Sequence, residues 1–180
     1  MALLAVASLA ACQTGADEQA AVAQGEEPVL ECGDDGRLSA EIYGAIRASL
    51  DWHRNDVECE GMPRPDGSGV RLRFGGEAGA GEWPIAVIIA MPDFTRDTTK
   101  TEFSANVTLI QEGSGRFFST SDLDNCLCEI AAVRPLDDSG KRVGVSGALY
   151  CVSPLPEVNG GSSISVPELL FTGLLDWGAS

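Results

Sequence analysis

CLCEIAAVRPLDDSGKRVGVSGALYC, residues 126–151, is the stretch on which the fold turns. Two arms, residues 126–134 and 141–152, flank Leu136-Asp137-Asp138-Ser139-Gly140. That run is rich in turn formers: Asp and Ser side chains satisfy turn backbone, and Gly accepts a positive φ. The stretch therefore predicts a β-hairpin, and the turn sets its register. If Asp137 lies opposite Gly140, Cys126 falls directly opposite Cys151. A shift of two residues puts Cys128 there instead, because alternate residues of a strand share a face. Either register brings a cysteine of the first arm within bridging reach of Cys151.

Outward from this hairpin the two-residue rhythm persists. In VRLRF, residues 70–74, Val70, Leu72 and Phe74 alternate with Arg71 and Arg73, the pattern of a half-buried strand. PIAVIIAM, residues 84–91, is continuously apolar, as expected of a central strand covered on both faces. Residues 103–111 alternate again with Phe103, Ala105, Val107 and Leu109 inward, and a short strand over residues 115–120 follows the turn Gly113-Ser114-Gly115. SISVPELLFTGLLDW, residues 163–177, predicts a long last strand. Pro167 within it lacks an N–H and marks an edge position or a bulge. One stretch reads differently. Over residues 38–53, Leu38, Ile42, Ala45, Ile46, Leu50 and His53 recur at three- and four-residue spacing, and Ser39 can cap the start. The spacing predicts a helix over about residues 39–53, weakened by Gly44. The expected fold is mainly β (α+β): an antiparallel β-sandwich or curled sheet of six to eight strands with one N-terminal helix, stapled by disulfides, in a single domain over residues 29–180.

The chain opens with eleven uncharged residues that run into Leu9-Ala10-Ala11-Cys12. As a helix they would span about 16 Å, half of a ~30 Å hydrocarbon core, which is too short for a membrane span and suits an export signal. Leu9-Ala10-Ala11-Cys12 resembles the lipobox of bacterial lipoproteins. The resemblance implies that residues 1–11 are cleaved, that Cys12 receives a diacylglyceryl group and that the new amine is acylated with a palmitate-like chain. Two or more acyl chains anchor stably. Gln13, where an Asp would resemble an inner-membrane retention signal, implies the outer membrane and its periplasmic face, with the inner membrane or the cell surface as alternatives. Export signals begin with Lys or Arg, whereas no charged residue precedes Asp17, so this reading puts the true start upstream of Met1. Residues 12–28 are small, polar and acidic and read as a flexible tether.

Six cysteines suit an oxidising compartment. With Cys12 assigned to lipid, Cys32, Cys59, Cys126, Cys128 and Cys151 allow at most two intramolecular disulfides and leave one thiol over. Cys32 with Cys59 would clamp the expected helix to its flanks, worth about 3.5 kcal/mol by loop closure. Cys151 would take Cys126 or Cys128.

Few residues offer chemistry. A net charge of −15, from 27 acidic and 12 basic side chains, excludes nucleic acid as a partner and disfavours membrane contact beyond the lipid. The one histidine, His53, would need a serine and a carboxylate such as Asp51 to form a triad, and Gly144-Val145-Ser146-Gly147-Ala148 misses the G-x-S-x-G elbow at its last residue. One His and paired cysteines are too few ligands for zinc. Asp34-Asp35, Asp122 with Asp124 and Asn125, and Asp137-Asp138 leave a structural calcium ion as the sole cofactor to consider, without EF-hand spacing. No catalytic residue stands out. The composition points to a binding or structural interaction module with an unknown envelope protein as partner. The alternative is a hydrolase of envelope glycan or peptide using paired carboxylates.

Overall fold

The computed structural model describes residues 32, 35–79 and 82–179; the signal-like residues 1–11, Cys12 and the acidic stretch to residue 28 lie outside them. In chain order the strands are β1 (Arg37–Gly44), β2 (Ala48–His53), β3 (Glu58–Pro63), β4 (Val70–Gly76), β5 (Ile85–Met91), β6 (Glu102–Ser104) and β7 (Asn106–Gln111). They continue with β8 (Arg116–Ser119), β9 (Cys126–Pro135), β10 (Arg142–Cys151), β11 (Leu155–Pro156), β12 (Ser163–Ser165) and β13 (Glu168–Asp176). All pairs are antiparallel. An eight-stranded sheet runs β2-β1-β13-β10-β9-β6, with β12 and then β11 attached at the end of β1, and a five-stranded sheet runs β3-β4-β5-β7-β8. The two stack around one core that includes Leu38, Leu50, Phe74, Ile89, Leu149 and Phe171. The protein is mainly β, with disulfide-linked, sandwich-like sheets.

The helix expected over residues 39–53 is absent. The stretch is the β1–β2 hairpin, with Arg37 opposite His53 and Ile42 opposite Ala48. Its apolar residues satisfy both periods, and the core selects period two. Ala40 and Trp52, off the helical stripe, are buried at 6 % and 4 % exposure, while Ala45 and His53, on the stripe, are exposed. Gly44 has φ +107°, which no helix interior allows. A Cβ there would also lie 2.6 Å from the Ser163 carbonyl oxygen.

The count of thirteen strands exceeds the six to eight expected, partly through this hairpin and partly because two long strands are broken. Residues 103–111 change sheets at Ala105, so that β6 pairs with β9 and β7 with β5. Alternation runs unbroken through the switch because both sheets face the same core. The last strand breaks at Val166-Pro167, where the register against β1 slips by one residue between β12 and β13. In the central hairpin Cys126 lies opposite Cys151, and Leu149 opposite Cys128. A bulge at Ala131 separates this register from that near the turn, where the Leu136 N–H donates to the Arg142 carbonyl.

Two disulfides join Cys32 to Cys59 and Cys126 to Cys151, with Cα atoms 5.2 and 4.1 Å apart. The first ties the chain just before the β1–β2 hairpin to β3. Near the opposite edge of the five-stranded sheet, the Val158 N–H donates to the Phe117 carbonyl at 2.8 Å, and Arg116 Nε donates to Glu157 Oε1 at 2.7 Å. Ser162 Oγ accepts from Arg116 and donates to Glu157 Oε2. The Glu157 side chain is only 16 % exposed. Hydrogen bonds from Arg116 and then Ser162 hold its carboxyl at about 2, below its ordinary 4.5. A carboxylate with lowered folded-state pKa stabilises the fold above about pH 4.5, and that contribution fades as pH falls toward 2. Glu157→Gln is therefore expected to flatten the acid limb of stability across that window. Urea unfolding at a series of pH values checks this, and an unchanged limb contradicts it.

Candidate docking face

The outward parity of the eight-stranded sheet forms continuous rows across its strands. One row reads Asp51, Ser39, Leu170, Ala148, Glu129 and Glu102, each directly opposite the next. At the usual strand spacing it is about 24 Å long. A second row reads His53, Arg37, Thr172, Ser146 and Ala132, and a third reads Glu168, Tyr150, Leu127 and Ser104. Apolar side chains sit in the middle of this face and are open to solvent: Tyr150 39 %, Leu170 37 % and Leu127 44 % exposed, with Tyr43 at 43 % on the same face of β1.

Two shallow depressions flank Leu170. One, of about 310 Å³, is floored by the small run Ser146-Gly147-Ala148 and bounded by Arg37 and Glu129. The other, of about 290 Å³, lies between Tyr43, Glu41, Pro167 and Glu168. It sits where Pro167 interrupts the last strand, so the bulge that breaks the ladder also shapes the surface.

Asp51 meets His53 at 2.9 Å and Arg37 stands in the second row, but four carboxylates of this face have no cation partner among the described residues. Glu102 and Glu129 lie directly opposite each other, an arrangement that costs stability in a sheet. No ion pair among the described residues involves Glu41, Glu102, Glu129 or Glu168. Ser49 Oγ donates to Glu41. Partial burial pushes the Tyr150 phenol above its ordinary value, and the neighbouring carboxylates Glu168 and Glu129 push it the same way. The outer face of the five-stranded sheet is the contrast. There Arg71 pairs with Glu60 at 3.8 Å, and Arg73 with Glu58 at 3.6 Å and Glu112 at 2.8 Å. One face pairs its charges; the other leaves these four carboxylates unpaired.

The remaining residues singled out in the sequence fall elsewhere. His53 Nε2 lies 2.9 Å from Asp51 Oδ1 at the exposed rim of the face, with Arg37 rather than a serine opposite it. Ser146 is mid-strand in β10. Asp137 builds the hairpin turn, accepting hydrogen bonds from Ser139 Oγ and the Lys141 and Arg142 N–H groups, and the Ser139 bond leads in lowering its pKa. Asp124 lies 3.5 Å from Ser104 Oγ, and Asn125 donates to Ser121. Among the described residues no group of three or more His, Cys, Asp or Glu side chains is placed to hold a metal ion. Asp34 lies outside the described residues, as does Cys12.

Among the described residues Cys128 is the free thiol, fully buried between Leu149 and Phe103 on the neighbouring strands. Burial pushes its pKa up to about 12. With so little thiolate at neutral pH it is expected to resist maleimide in the native chain and to react promptly once unfolded. Mass spectrometry of labelled native and denatured samples checks this; rapid native labelling contradicts it.

Sequence reasoning passed over Leu127, Tyr150 and Leu170 as surface components. Their signal was present: each is a large apolar residue at the outward parity of an alternating strand, where a polar one is expected. Comparisons with protein families, curated proteins and solved structures gave no match.

Proposed function

We propose that this chain is a lipid-anchored bacterial envelope protein that acts as a binding module, with the outer face of the eight-stranded sheet as its docking surface. The lipobox-like Leu9-Ala10-Ala11-Cys12 supports export, acylation at Cys12 and a place on the periplasmic side of the outer membrane. Two disulfides are in keeping with an oxidising compartment. The observation that carries the binding role is the cluster of Tyr150, Leu170 and Leu127 on one open sheet face, ringed by carboxylates without cation partners. Tyrosine and aliphatic side chains at the centre of a polar rim are the composition of a protein-binding surface.

A photoreactive residue at Ala148, in the tethered protein in its native envelope, tests this. A discrete crosslinked protein is expected that is lost when Leu170→Ser and Tyr150→Ser are combined. The same probe at Arg71, on the outer face of the other sheet, is expected to give none. Equal capture from both positions contradicts the assignment.

A further inference from the structure

We infer that the partner of this face presents an extended, positively charged segment with apolar side chains at its centre and lysine or arginine on either side; the inference rests on the face being the docking surface. Charge on this face is complementary to such a segment across a defined pattern. Along the central row, Asp51 stands at one end and Glu129 and Glu102 at the other, with Leu170 and Ala148 between them. Beside that row, Glu168 and Tyr150 are opposite each other. A segment with apolar groups over Leu170 and Ala148 and cations on either side meets every feature of the row. It also relieves the Glu102–Glu129 repulsion, which no ion pair among the described residues offsets. A second copy of the chain would bring like charge to like, as would any strongly acidic partner, because the chain carries −15 overall. A face some six strands wide suits an extended segment lying across it.

The test uses a fluorescent synthetic decapeptide with a central leucine block flanked by lysines, and its glutamate–leucine counterpart, titrated into the full chain in non-ionic detergent and read by anisotropy. The lysine–leucine peptide is expected to bind, more weakly as salt rises. Glu129→Gln with Glu168→Gln is expected to weaken it by about tenfold. Glu82→Gln with Asp97→Asn, an equal change of charge off the face, is expected to weaken it by no more than about twofold. These four positions are exposed, so the variants are expected to fold.

Equal losses in the two charge variants mean attraction to the acidic molecule as a whole and overturn the inference. So does glutamate–leucine binding as tight as lysine–leucine. If that glutamate–leucine binding falls in Leu170→Ser with Tyr150→Ser, the face remains a docking surface and only the charge assignment fails. If neither peptide's affinity responds to that pair, the face itself is refuted. Self-association of the chain that Leu170→Ser abolishes would identify a second copy as the occupant, against the inference.

Discussion

Phe74→Ala is expected to lower the free energy of unfolding by about 3–5 kcal/mol, a large share of what a domain of this size holds. Phe74 sits on β4 with no solvent exposure and meets Phe171 of β13 at 5.7 Å between ring centroids, tilted by 56°. The ring is therefore a contact between the two sheets rather than within one. Its seat is made by Gly173, where a Cβ would fall 2.7 Å from the Phe74 ring. Truncation removes the transfer energy of a whole aromatic side chain. It also leaves a cavity that two hydrogen-bonded sheets, each fixed by its own ladder, cannot close by sliding together. Urea unfolding with an unchanged denaturant slope measures the loss. A cost below about 1.5 kcal/mol would mean that the sheets do not pack through this ring.

The second large effect is expected from Cys126→Ala with Cys151→Ala, a loss of about 3.5 kcal/mol in the loop-closure picture. The staple joins the far end of the β9–β10 hairpin, opposite its turn, with a sequence separation of 25. β10 is hydrogen-bonded on both sides, to β9 and β13, so most of the ladder survives in the folded state. The effect therefore falls on the unfolded chain, whose arms regain their freedom. Replacing both cysteines avoids a stray thiol beside buried Cys128. Denaturant unfolding of oxidised wild type against the double variant gives the difference; equal midpoints would show that the bridge stabilises nothing.

What the sequence reveals of this fold depends on how local the deciding interaction is. The hairpin of residues 126–151 was legible as a hairpin because its turn lies in the same stretch. The register next to the turn is one residue off the expected one, and the bulge restores Cys126 to its place opposite Cys151. The Ala131 bulge itself was not legible, since one extra residue leaves no mark in composition. Residues 70–74 read correctly because β4 lies inside a sheet whose inner face is apolar apart from buried Gln111. Residues 84–91 form its central strand β5 as expected, but Ile88 and Ala90 on the outer side are only partly buried rather than covered. Residues 39–53 misled because Leu38, Ile42, Ile46 and Leu50 are four residues apart, a spacing that is even as well as helical. Tertiary pairing of β1 with β13 then decides in favour of the strand. The sheet switch at Ala105 left no trace in the pattern, because the core lies on the same side before and after it. The face was half legible: Leu127 and Tyr150 stood out against the alternation of their own strands, but only the β10–β13 pairing brings Leu170 beside Ala148.

The location of the protein carries the rest of the account, and intact-mass spectrometry of the chain from its native envelope, without reductant, tests it most directly. The mass is predicted to correspond to a chain that starts at Cys12, carries three acyl groups and is four hydrogens lighter than its fully reduced form, with Cys128 the one thiol alkylated after unfolding. A chain that retains residues 1–11, unacylated and with every sulfur reduced, would contradict it.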